Sequence, residues 1–165
     1  QWWMAMGSDR PDLAEVAERL VATEPPSRRR CITHGDLHPF NVLAAARGPV
    51  LIDWTVARVG HPGFTLGFTD LVLSNPPLAV PGPLRPGVRS LGRHLARRFH
   101  RTYRSLAAPA DHVTDDELAW FRAVHGLRIL VELARFEGEG GVPPGHPWSI
   151  LGPVVEPQLG LVRSG

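Results

Sequence analysis

The sequence contains no lysine; all 18 basic residues are arginine. Phosphate sites in which a strand or loop lysine reaches a nucleotide's phosphates therefore have no candidate in this stretch of chain. Cysteine is scarce too. Cys31 stands alone, which excludes an internal disulfide scaffold, and beside Ile32 it reads as a small buried residue. No apolar run approaches the roughly 20 residues a membrane helix needs, so no membrane association is expected. Residues 1–6 lack a basic leader, a long hydrophobic region and a small-residue cleavage site, so the expected location is the cytoplasm. A net charge of +2 is too small to indicate nucleic acid as a partner.

What remains is an ordinary globular composition, with 43% hydrophobic and 21% charged residues over 165 positions, and residues 1–165 read as one domain. Ser8 or Asp9 can cap a helix opening at Pro11, with Leu13, Val16, Ala17, Leu20 and Val21 on one face. Residues 31–33 are β-prone. Residues 41–45 and 50–54 read as a hairpin closed by Ala46-Arg47-Gly48-Pro49. A short buried helix is expected over 66–74, an irregular proline-rich connection over 76–87, and a one-sided helix over 88–106 studded with arginines. Thr114-Asp115-Asp116-Glu117 matches a capping box, and the apolar positions that follow predict a central core helix to about Phe136. A shorter helical piece fits within 149–162. The fold class is α+β, mainly helical, with a small hairpin embedded among helices.

The chemistry concentrates in His34-Gly35-Asp36-Leu37-His38-Pro39-Phe40-Asn41, followed by Leu51-Ile52-Asp53-Trp54. Asp36 and Asn41, five apart in a tight loop, can share a pocket. The hairpin then brings Asp53 beside Asn41, roughly 5 Å apart at the backbone. Amide and carboxylate oxygens suit Mg²⁺, which would leave Asp36 to accept a proton from an incoming hydroxyl. The plainer reading of all three is turn formation, which Asp and Asn favour anywhere. His38 can simply hold the turn, and Trp54 reads as core packing.

This cluster resembles the catalytic loop and metal-binding aspartate of the aminoglycoside phosphotransferase and choline kinase-like family, relatives of the protein kinases. The family pattern HGDLHPGNVL, a hairpin, then IDWE stands here as HGDLHPFNVL, a hairpin, then LIDWT. The resemblance implies a kinase-like C-terminal lobe in which Asp36 is the catalytic base, Asn41 and Asp53 hold Mg²⁺, and His34 buttresses the loop. It also implies ATP as co-substrate and a small-molecule hydroxyl as acceptor.

The departures are equally specific. The family continues GDPxxDLA, whereas this chain reads Gly60-His61-Pro62-Gly63-Phe64-Thr65-Leu66-Gly67, so both acids are lost and loop rigidity is put in question. Phe40 replaces a customary glycine and Thr55 a customary glutamate. Only roughly 30 residues precede the loop, too few for the β-rich lobe that grips ATP in kinase-like enzymes. The expectation is a lower lobe without its N-terminal nucleotide-binding lobe, with little activity alone; Trp2, Trp3, Met4 and Met6 would then form an exposed stump. Two other readings stay open. One is a non-catalytic, pseudokinase-like binding module, and the other is a metal-dependent hydrolase built on His34, Asp36 and His38.

Overall fold

A computed structural model describes residues 10–26 and 30–161. Within them the order is α1 (Pro11–Ala22), β1 (Cys31–Thr33), β2 (Val42–Ala45), β3 (Gly48–Leu51), β4 (Arg58–Gly60), α2 (Gly63–Ser74), α3 (Arg85–Leu106), α4 (Asp115–Gly138) and α5 (Pro147–Gln158). The class is α+β and mainly helical, as expected. The strands form two separate antiparallel ribbons, β1 with β4 and β2 with β3.

α4 is the spine, packing against α1, α2 and α5. Its start is fixed by the expected capping box: the Glu117 amide donates to Thr114 Oγ1 (3.2 Å) and the Thr114 amide donates to Glu117 Oε2 (2.8 Å). Leu127, Ile129, Leu130 and Val131 are buried along it, facing Leu13, Val16 and Leu20 of α1, Phe68 and Leu71 of α2, and Leu151 and Val155 of α5. Each such side chain contributes about 1.5–3 kcal/mol on burial. That packing holds α5 helical despite Pro153 and Pro157 inside it. Small residues set the helix spacings. A Cβ at Gly67 would meet the Phe121 backbone of α4, and one at Gly92 would collide with the Leu73 carbonyl of α2.

Several elements differ from their sequence outline for identifiable reasons. Ser8 and Asp9 lie outside the described residues; Arg10 holds the N-cap position and clasps Asp12 with two bonds of 2.8 and 2.9 Å. α2 starts at Gly63 rather than 66, because His61 Nδ1 accepts the Gly63 amide (3.0 Å) and organises the first turn. α3 starts at Arg85, since Pro86 falls in a first turn, where a missing N–H costs nothing. Its expected apolar face is only partly used. The small residues Gly92 and Ala96 are buried against α2, while Leu91 and Leu95 remain 60% and 42% exposed.

The hairpin turn is Ala46-Arg47 alone, with Gly48 and Pro49 inside β3 opposite Ala45 and Ala44. A two-stranded ribbon has free edges on both sides, so Pro49 needs no ladder donor. β2 and almost all of β3 are exposed, so this hairpin lies between helices in the sequence yet on the surface of the molecule. Cys31 is exposed rather than buried, because β1 sinks only Thr33 into the protein. The stump residues Trp2, Trp3, Met4 and Met6 lie outside the described residues. No helix among the described residues is long and apolar enough to cross a membrane.

Candidate active site

The pairing of β1 with β4, not foreseen from the sequence, closes residues 31–60 into one loop with the β2–β3 hairpin at its far end. Three residue pairs form the neck: Cys31 with Gly60, Ile32 with Val59, Thr33 with Arg58. Thr33 Oγ1 adds a bond to the Arg58 carbonyl at 2.9 Å. The side chains of interest all lie inside this closed loop.

Asn41 ends a 3-10 turn that begins at Pro39, so it precedes β2 rather than opening it. Its backbone carbonyl accepts the Ile52 amide at 3.0 Å, which makes Ile52 its cross-strand partner and leaves Asp53 one residue beyond. The buried Asn41 amide nitrogen donates twice to Asp36, to the backbone carbonyl (2.8 Å) and to Oδ2 (3.2 Å). The amide's other atom, its carbonyl oxygen, is thereby turned away from Asp36. The two residues share a pocket, as their spacing suggested.

His34 is buried and bridges the loop to the hairpin. Its Nδ1 accepts the Asp36 amide (3.3 Å) and its Nε2 donates to the Ile52 carbonyl (2.9 Å). A peptide N–H on one side and a C=O on the other select the neutral tautomer with hydrogen on Nε2. Trp54 is 47% exposed and lies against this ring, centroids 4.7 Å apart, so it shields His34 from outside and is not core packing. Gly35 sits at φ +77°, where a Cβ would also strike the Phe64 ring, so the turn between His34 and Asp36 needs glycine.

The positions that lost acids still hold the loop. Thr65 Oγ1 accepts the Gly35 amide at 3.2 Å, and His61 caps α2 as described. One turn on, Thr69 Oγ1 donates to the Leu37 carbonyl at 2.8 Å. Below them His125, fully buried, bonds the Phe64 carbonyl through Nε2 at 2.7 Å. Burial pushes its imidazole down to about 3, aided by the nearby Arg128 and Arg58 charges against the opposing effect of the Phe64 bond, so His125 is neutral. Sequence reading missed Thr65, Thr69 and His125 as loop supports. Only the coincidence of Thr65 with a family acid position carried any signal.

Asp53 takes a left-handed backbone, φ +59°, the only non-glycine to do so among the described residues. Its exposed carboxylate accepts the Thr55 hydroxyl (2.7 Å). The Thr55 side-chain and backbone bonds hold the carboxyl below its usual range and keep it ionised. The donor set offered by Asn41 and Asp53, one amide oxygen and one carboxylate, fits a hard cation such as Mg²⁺. It does not fit a zinc tripod on His34, Asp36 and His38, because both ring nitrogens of His34 are engaged with the backbone. No group of three or more His, Cys, Asp and Glu among the described residues is arranged for a metal.

His38 turns its Nε2 toward Asp36 Oδ2 (3.6 Å), so it faces the carboxylate as well as shaping the turn. Beyond Asp36 opens a cleft of about 570 Å³ between the loop, α3 and the start of α5. Glu132 of α4 lies in its wall, clasped by Arg128 Nε (3.4 Å) and by the Trp148 indole N–H.

Residues 4–82, which contain the whole loop and hairpin, match the model of the phosphotransferase enzyme family. The match bears out the resemblance carried by HGDLHPFNVL and LIDW. No curated protein and no solved structure matches the chain.

Proposed function

We propose that this phosphotransferase-family segment works as the acceptor-side lobe of a small-molecule kinase, moving the γ-phosphate of ATP to a hydroxyl. The observation that supports the reading best is the pinning of Asp36. Asn41 fixes its carboxylate, His34 and Asn41 fix its backbone, and one face opens onto a cleft of ligand size. An acceptor hydroxyl in that cleft gives its proton to Asp36 while its oxygen attacks the γ-phosphorus in line, and ADP leaves with the bridging oxygen. Asn41 and Asp53 are the residues that would hold Mg²⁺, which supplies charge neutralisation at the phosphates when bound.

The nucleotide-gripping lobe of such an enzyme is a separate β-rich body, and this chain offers it a surface. Val42, Leu43, Val50 and Leu51 of the hairpin are all more than a third exposed. An apolar ribbon of this kind suits burial under a second lobe. Tested apart from such a lobe, residues 1–165 should transfer phosphate slowly.

The test has two readouts. Transfer of label from [γ-³²P]ATP to hydroxyl compounds should fall at least about 100-fold in Asp36→Asn, the usual contribution of a general base. Binding of Mn²⁺, followed by electron paramagnetic resonance, should weaken in Asp53→Asn and in Asn41→Ala. Transfer indifferent to Asp36, or Mn²⁺ binding indifferent to both other residues, would overturn the reading.

A further inference from the structure

The cleft beside Asp36 carries more information than its position. Its walls bring together Phe40, Phe68, Leu91, Leu95 and Trp148, contributed by four different parts of the chain. Three of these are apolar side chains left largely in solvent, Phe40 at 74%, Leu91 at 60% and Leu95 at 42% exposure. Scattered exposed leucines need no explanation, but exposed apolar residues converging on one concave site mark a binding surface. Phe40 stands where the family pattern has glycine, so this chain adds an aromatic ring at the edge of the cleft. A volume of about 570 Å³ accommodates a ligand of drug-like size.

The charges in and around the cleft point the same way. Apart from Asp36, its only carboxylate is Glu132, and Arg128 and Trp148 already hold that group. The α3 side of the cleft is Val88, Leu91, Gly92 and Leu95, with no charged side chain among them. A polycation entering here would leave its hydration shell for one available carboxylate among apolar walls, whereas a neutral apolar body loses nothing of the kind.

Resting on the phosphotransferase reading, we infer that the acceptor is a neutral alcohol with a bulky apolar body, its hydroxyl presented to Asp36, and not a polycationic amino sugar. The apolar body lies between Phe40 and the Leu91–Leu95 side of α3. The acceptor's specificity is then set by Phe40, Leu91 and Leu95, none of which takes part in the chemical step.

Binding of 2-naphthaleneethanol and of neomycin to the 165-residue chain, measured by isothermal titration calorimetry without ATP, tests this directly. The naphthyl alcohol should bind with a submillimolar dissociation constant, a modest efficiency for its size, and neomycin at least ten times more weakly. Leu95→Asp should weaken naphthyl binding about tenfold or more and Phe40→Gly several-fold. Both positions are exposed, and unchanged circular dichroism would confirm folding. Neomycin binding as tightly as the naphthyl alcohol, or naphthyl binding untouched by either substitution, would overturn the inference. Phosphate transfer to neomycin but to no apolar alcohol would overturn it too, while leaving the phosphotransferase reading intact. Naphthyl binding sensitive to Leu95 but with no Asp36-dependent transfer would remove that reading and leave the preference of the cleft standing.

Discussion

The amide nitrogen of Asn41 is bonded to Asp36 twice, at 2.8 Å to its carbonyl and 3.2 Å to its carboxylate, so the orientation of one residue is a property of the other. The two side chains are thereby set in a single arrangement. Asn41→Ala removes both bonds at a buried position and should cost about 1–3 kcal/mol of stability by urea unfolding. Asn41→Asp should be worse than Asn41→Ala, because it sets a second carboxylate against two acceptor oxygens. Equal stability of the two variants would mean that the bonds to Asp36 do not orient the side chain.

His34 joins loop and hairpin through a neutral ring. His34→Ala should lose about 1–3 kcal/mol, since it leaves the Asp36 amide and the Ile52 carbonyl without their partner. Hydrogen exchange supplies the more specific readout, with faster exchange expected at the Asp36 amide in the variant than in the wild-type chain.

Thr65 stands where the family pattern has an acid, and its hydroxyl bonds the loop at Gly35. Thr65→Val keeps the shape and removes the acceptor for the Gly35 amide, at an expected cost of about 1–3 kcal/mol. Thr65→Asp, which restores an acceptor, should lie closer to wild type than to Thr65→Val in the same unfolding experiment.

His125 predicts an acid limb in the stability curve. Its imidazole falls from an ordinary 6.5 to about 3 on folding. Between those values the unfolded chain binds one proton more, so stability rises with pH by about 1.4 kcal/mol per unit. The contribution is complete above about pH 6.5 and is lost as pH drops toward 3. His125→Gln keeps an N–H for Phe64 but cannot ionise. Going from pH 7 to pH 5, the wild type should lose about 2 kcal/mol more than this variant in urea unfolding. Parallel losses would place the acid sensitivity elsewhere.

The elements legible in the sequence were those whose signals are local. The capping box at Thr114, the amphipathic face of α1 and the apolar run of α4 each contain their own explanation within a few turns. The pairing of β1 with β4 could not be read, because three residues on each side carry no pattern of their own and the partners lie 25 or more positions apart. Leu91 and Leu95 misled for a related reason. Their spacing announces a buried face, but Gly92 and Ala96 allow α3 to approach α2 more closely, and the larger leucines are displaced toward the cleft. At the site, motif spacing placed Asp36 and Asn41 in one pocket, as their bonds show, and the hairpin set Asp53 one residue past the partner of Asn41. The hydroxyls of Thr65 and Thr69 and the buried His125 escaped notice because their roles depend on how α2 lies beneath the loop.

The short neck between β1 and β4 makes the site a detachable cassette. Everything from His34 to Trp54 is entered and left through six residues, and the hairpin at the far end is exposed on nearly every residue. If the neck opens, Asp36, Asn41 and Asp53 lose their registration together, so the segment is assembled or lost as a unit. The helices beneath it keep their own core throughout. Such a division lets the cleft walls, Phe40 among them, vary without disturbing the bonds that join His34, Asp36 and Asn41.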